Sequence, residues 1–215
     1  MFVEKWMTED PVTLPPDMAI SAAAVEMASH RFRHLPVAEA APAGKKLLGL
    51  VSKYDIARAF PPNFNPFSVE VLADSVPQPI STIMARNVMT VRPDCSIEEA
   101  ARILRERGIE ALPILRGDRL VGIITESDIF DALIDMTGVN GDGIKMVVEA
   151  KTHEHPVVLV AQLSQQHQLQ LQSFMSYHDD QSKGRELLAF RFAEKPAPDF
   201  IQALVKRGFR ILSIG

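Results

Sequence analysis

Two short segments place a hydroxyl and a carboxylate three residues apart, Ser52-Lys53-Tyr54-Asp55 and Thr125-Glu126-Ser127-Asp128. Each follows a glycine and an apolar run, Gly49-Leu50-Val51 in one and Gly122-Ile123-Ile124 in the other, and each leads into an isoleucine. The pattern reads as a Gly turn, a buried strand and the start of a helix. A Ser or Thr at that start accepts hydrogen bonds from the orphan N–H groups of the first turn. The Asp beside it is then free to accept hydrogen bonds from a diol, since a carboxylate offers two acceptor oxygens to two O–H donors. A solvated Asp stabilised by the helix dipole is the plainer alternative. Its occurrence twice at the same place in a repeated pattern favours a ligand.

The elements that position these groups are themselves duplicated. Met7 matches Met84, Thr13 matches Thr90, Pro16 matches Pro93, and Leu35-Pro36 matches Leu112-Pro113, all at an offset of 77 residues. From Gly49 to Gly122 the offset is 73, so the first copy carries four extra residues, most simply within 39–46. Such self-similarity points to two equivalent supersecondary units.

Within the first copy, residues 12–14 read as a short strand, and Pro15-Pro16-Asp17 leads into a helix with Ile20, Ala23, Ala24 and Met27 on one face. Short strands are expected at 35–37 and 48–51, and a helix from Asp55 to Phe60 is stopped by Pro61-Pro62. Five of the fifteen prolines fall between 61 and 79, marking a linker with a short helical turn expected around 68–73. In the second copy, 89–91 is the first strand and Ser96 to Glu99 reads as a capping box whose Glu reaches back to the cap residue. Ile97, Ala100, Ala101 and Leu104 form the helix stripe, ended by Gly108. Strands at 111–115 and 120–124 are joined through Gly117-Asp118, and a last helix covers 127–135.

Residues 137–143 hold three of the eleven glycines and read as a hinge or connector. Beyond them the pattern predicts strand (146–150), helix (157–167), strand (169–177), strand (187–192), helix (200–207) and strand (210–214). That β-α-β-β-α-β order is the split βαβ plan.

Composition bounds what such a chain can do. Its 215 residues, 47% apolar, allow one large or two modest domains with ample core. A net charge of −4 and a pI near 5.9 argue against nucleic acid bound through phosphate neutralisation. The single cysteine, Cys95, excludes an internal disulfide and a thiolate-rich metal site. No apolar run approaches a membrane span, and the N-terminal residues lack a signal-peptide pattern, so a soluble cytoplasmic protein is expected.

The duplicated motifs over residues 1–135 resemble a tandem pair of CBS domains, also called a Bateman module, which senses adenosine nucleotides. The tail resembles an ACT domain by its element order. His155-Pro156-Val157 stands where ACT domains commonly carry a Pro-Gly pair, which favours a structural or dimerising role over amino-acid binding. The whole arrangement resembles the acetoin utilization protein family. It implies an α+β fold: CBS repeat one (1–60), a linker (61–79), repeat two (80–136), a connector (137–144) and a ferredoxin-like ACT domain (145–215).

Transferred by position, the resemblance implies two nucleotide sites. Site one takes Ser52 and Asp55, with the base among Thr13, Leu14, Leu35, Pro36 and Val37. Site two takes Thr125 and Asp128, with the base among Thr90, Val91, Leu112, Pro113 and Ile114. Arg33, His34 and Lys53 lie near the phosphate end of site one, whereas their counterparts in site two are Glu110, Ala111 and Glu126. Site one is therefore expected to hold the charged nucleotide, and site two to be weak, empty or filled by a neutral adenosine-like group. The family's repeats pack about a pseudo-two-fold axis, which would let a cation of one copy serve the other's ligand.

The other chemically suggestive residues point elsewhere. His153, Glu154 and His155 lack a further metal ligand and read as a solvated loop; Cys95 precedes a helix cap but matches Met18 of the first copy, which favours packing. No catalytic constellation and no metal site stand out. The function expected is a non-enzymatic regulatory sensor of AMP, ADP or ATP, a homodimer acting on an unidentified protein target. An enzyme at the inter-repeat cleft and an oligomerisation scaffold without ligand are the competing readings.

Overall fold

The computed structural model describes residues 1–42, 44–62, 64–67, 76–139, 141–151, 155–178 and 184–215. The chain divides into two compact units, Met1–Phe130 and Asp131–Gly215. The turn expected around 68–73, and His153 and Glu154, lie outside the described residues.

In the first unit the elements are β1 (Thr8–Glu9), α1 (Ile20–His30), β2 (His34–Ala41), β3 (Gly44–Ser52), α2 (Lys53–Arg58), α3 (Ile97–Arg107), β4 (Ala111–Arg116), β5 (Arg119–Thr125) and the start of α4 (Glu126–Thr137). Helix α1 buries Ile20, Ala23, Ala24 and Met27, the i, i+3, i+4, i+7 face its spacing calls for. It ends at Arg31, which takes the left-handed conformation at φ 58°. Helix α3 is capped by Ser96, whose Oγ accepts from the Glu99 N–H, and ends at Gly108 with φ 61°. The capping box expected there is only half formed, because the Glu99 carboxylate turns outward to accept from Arg102.

Antiparallel hairpins β2–β3 and β4–β5 carry the two Leu-Pro pairs, with Pro36 opposite Leu50 and Pro113 opposite Ile123. Proline is tolerated because β2 and β4 are outer strands of the sheet. The short strands expected at 12–14 and 89–91 are reduced to single bridges, Leu14 beside Val37 and Val91 beside Ile114. Leu14 donates its N–H to Pro36 O at 2.9 Å, and Val91 does the same to Pro113 O at 3.1 Å. Both side chains therefore enter the core of their own copy.

What precedes each bridge crosses to the other copy. Strand β1 pairs with β5, with Thr8 opposite Ile123, and Ala85 bridges Leu50 on β3. Gly49 and Gly122 lie within strands rather than at the turns expected of them. A Cβ on Gly49 would stand 2.7 Å from Ala85 O and from Met84 Sδ, and one on Gly122 would run into the Met7 thioether. These glycines admit the crossing segments, so the two copies are interlocked.

In the second unit the order is β6 (Ile144–Lys151), α5 (Pro156–Gln166), β7 (Leu171–His178), β8 (Arg185–Phe192), α6 (Pro198–Lys206) and β9 (Arg210–Ile214), the β-α-β-β-α-β succession. The antiparallel sheet runs β7-β8-β6-β9 and packs Met146, Val148, Leu188, Phe190 and Phe192 against Val160, Phe200 and Leu204. His155, which stands at the loop before α5, adopts φ 49°, a conformation that favours glycine. At the end of the glycine run Gly143 is closely packed: a Cβ there would meet Arg191 Cγ and Phe192 O at 2.7 Å, and Arg191 Nη1 donates to Gly143 O at 2.5 Å.

Candidate functional site

Strand β3 ends at Ser52 in an extended conformation, and α2 begins at once. The Ser52 Oγ accepts the Asp55 N–H at 3.1 Å, while the Ser52 N–H and hydroxyl both donate to Asp55 Oδ2, at 2.9 and 2.6 Å. A full capping box thus forms at the strand-to-helix junction, with the shorter Asp in the role of Glu. The second junction repeats it in part: the Thr125 N–H and hydroxyl donate to Asp128 Oδ2 at 2.7 and 2.8 Å. Neither carboxylate is wholly free for a diol, as the sequence suggested. One oxygen of each is committed to the cap, which fixes the rotamer and leaves Oδ1 without a protein donor among the described residues.

The larger cleft at these junctions has a volume of about 870 Å³. Its polar side carries Ser52, Lys53, Asp55, Arg33 and His34 from the first copy. Its apolar side comes from the second copy through Val88, Met89, Ile109 and Ala111, with Arg107 and Glu110 at the margin. A smaller cleft, about 220 Å³, pairs Thr125 and Asp128 with Pro11, Val12, Arg31, Phe32 and Pro36 of the first copy, again with Arg33 and His34. Each cleft therefore joins the Asp of one copy to the crossing segment of the other. Pro11 and Val12 are the repeat counterparts of Val88 and Met89, so the two walls are equivalent by position.

That crossing separates the residues expected to form each site. Thr13, Leu14, Val37, Thr90, Val91, Pro113 and Ile114 line neither cleft. Leu14, Val37 and Ile114 are almost wholly buried, at 1%, 0% and 0% exposure, and form core. The charge distribution shifts as well. Glu110, assigned by position to the Asp128 site, lines the cleft of Asp55, and Arg31 and Arg33 line the cleft of Asp128. The wall residues 88–89 and 11–12 went unrecognised because periodicity within one copy says nothing of exchange between copies. The only pointer was the glycine in each strand, where a close backbone approach is one use of the residue.

His34 sits at the boundary of the two clefts with its Nε2 3.7 Å from Glu110. Burial pushes its imidazole below the ordinary pKa, Glu110 pulls it up, Arg33 pushes it further down, and Asp55 and Glu126 oppose with weaker upward pulls. The net direction is down, so the ring is neutral at pH 7. Cys95 is unsuited to thiolate chemistry, because burial followed by Glu99 and Asp94 raises its pKa. Among the described residues no group of three or more His, Cys, Asp or Glu side chains could hold a metal, and no helix is long and apolar enough to cross a membrane.

Two interlocked copies of one hairpin-and-helix unit, each presenting a capped Asp to a cleft, define a tandem-repeat α+β module. The chain belongs to the CBS-domain family: the CBS domain model matches residues 3–62 and 80–135, more than half its length. Among solved structures it is similar to a Vibrio cholerae protein named for acetoin utilization (AcuB), at 31% identity and a TM-score of 0.53, covering 65% of this chain and 95% of that one. It is also similar to the CBS domain pair of protein MJ0100 in complex with 5-methylthioadenosine and S-adenosyl-L-methionine, at 28% identity and a TM-score of 0.50, covering 62% of this chain and 95% of that one. Over 129 residues it is 33% identical to the homoserine O-acetyltransferase of Methanohalobium evestigatum, which covers 60% of this chain. The chain spans 23% of that enzyme's length.

Proposed function

We propose that the chain is a non-enzymatic regulatory sensor that binds an adenine nucleotide in its CBS pair, with the larger cleft as the principal site. The observation that carries this reading is the fixed Asp55 carboxylate on the rim of an 870 Å³ cleft. That volume falls within the range of small-molecule sites, and its apolar wall with a few convergent polar groups has the usual makeup of one. Asp55 Oδ1 meets the ribose hydroxyls, Val88, Met89, Ile109 and Ala111 flank the base, and Lys53 with Arg33 meets phosphate. The adenosine-containing ligands of MJ0100 support the same class. CBS domains are generally regulatory parts of larger systems, and the acetyltransferase activity of the relative that this chain only partly spans is not carried over.

The second unit is an ACT-like domain in this reading, serving dimerisation or signal output. Its β-α-β-β-α-β order and its two outer strands, β7 and β9, support that role. Occupancy of the clefts acts by favouring one packing of the module over another, which requires unequal affinity for the two states. Non-denaturing mass spectrometry of freshly purified protein tests the function: an adenine nucleotide carried at stoichiometric or near-stoichiometric amounts is expected. A protein that carries none and takes up none of AMP, ADP or ATP when these are added contradicts the reading.

A further inference from the structure

Arg33 and His34 line both clefts, at the point where β2 begins. The Arg33 guanidinium also reaches across the copies: its Nη2 donates to Ser127 Oγ at 2.9 Å, one residue before Asp128. The repeat counterparts of this pair are Glu110 and Tyr54, which both line the larger cleft. The pseudo-two-fold relation therefore breaks in charge at this wall, a cation in one copy standing where the other has an anion. We infer that Arg33 is an anion-recognition residue shared by the two clefts, and that its capture by phosphate in one weakens phosphate binding in the other.

This rests on the nucleotide reading above. A guanidinium carries one charge and a rigid planar fork of donors, so a phosphate monoester that draws it into the larger cleft takes it from Ser127. The smaller cleft then keeps only Arg31 as its cation among the described residues that line it, apart from the neutral His34. Because binding coupling is reciprocal, a nucleotide in the smaller cleft weakens the larger one by the same factor.

Calorimetric titration of the full chain with AMP measures the coupling. Asp128→Asn leaves the larger cleft to be measured alone, and Asp55→Asn leaves the smaller. In the wild type the two stepwise dissociation constants should multiply to a value about fivefold or more above the product of the two single-cleft constants. With Arg33→Gln built into all three proteins the two products should agree. Wild-type protein taking one equivalent while each single-cleft variant also takes one is the extreme form of the same result, and Arg33→Gln should then restore the second equivalent. Agreement of the products already in the wild type, a discrepancy that survives Arg33→Gln, or one equivalent abolished by only one of the Asn changes would overturn the inference. Adenosine binding without any AMP binding would also overturn it. Absence of heat with AMP and adenosine alike would instead remove the nucleotide reading on which it rests.

Discussion

Met84 lies on Gly49, its Sδ 2.7 Å from where a Cβ on that glycine would stand, and Ala85 O is equally close. The contact ties the segment leading into the second copy to a central strand of the first. It thereby carries Val88 and Met89 to the cleft of Asp55. Replacing a strand glycine by alanine ordinarily stabilises slightly through the unfolded state. Here Gly49→Ala should destabilise by about 1–3 kcal/mol, because a backbone oxygen must move. Gly122→Ala should cost less, since its nearest neighbour is the Met7 side chain and Thr8 O stands at 3.2 Å. Met7→Ala should rescue Gly122→Ala more fully than Met84→Ala rescues Gly49→Ala. Urea unfolding of the four variants checks the order.

Ser52→Ala removes the hydroxyl that both accepts the Asp55 N–H and donates to its carboxylate. A loss of about 0.5–2 kcal/mol in stability is expected from the cap alone. The released carboxylate also samples other rotamers, so nucleotide affinity should fall although Ser52 keeps its backbone N–H. Unfolding and binding titrations on the same variant separate the two effects. Unchanged affinity with lowered stability would confine Ser52 to capping.

The pKa of His34 is lowered in the folded protein, first by burial. The sign follows: with a folded pKa below the unfolded one, its contribution to stability is present above pH about 6.5 and is lost as pH falls through the folded value. The groups facing it are Glu110, Arg33, Asp55 and Glu126. An anionic ligand beside it favours the imidazolium, so AMP binding near pH 6 should take up protons. Titrations in buffers of different ionisation enthalpy measure the uptake, and His34→Gln should remove the imidazole's share, which adenosine, lacking a phosphate that ionises near pH 6, does not evoke.

Much of this arrangement could be read from residue order alone. The repeat, the amphipathic stripes of α1 and α3, and the two hydroxyl-to-Asp junctions all appear in local spacing, because they are set within a single turn or hairpin. The tail's element order was legible for the same reason. What local spacing could not convey was which copy supplies each wall. Thr13 and Leu14 follow a segment that crosses between copies but lie past the crossing point, so a site assembled within one copy collected core residues such as Val37. The charge asymmetry was legible only in part: Arg33, His34 and Lys53 do line the cleft of Asp55, but the crossing also brings Glu110 into that cleft and Arg31 and Arg33 into that of Asp128. The committed oxygen on each Asp was equally invisible, since a capping box is usually read from Glu or Gln at the third position.

Nucleotide recognition is expected to centre on Asp55, and the most direct measurement of it is the affinity of the full chain for AMP before and after Asp55→Asn. Asn keeps the size and one acceptor oxygen but removes the charge that receives the ribose hydroxyls. Affinity of the larger cleft should fall about tenfold or more, in line with the loss of a charged hydrogen bond, with the overall fold retained by circular dichroism. AMP bound by Asp55→Asn as tightly as by the wild type, with the same stoichiometry, would contradict it.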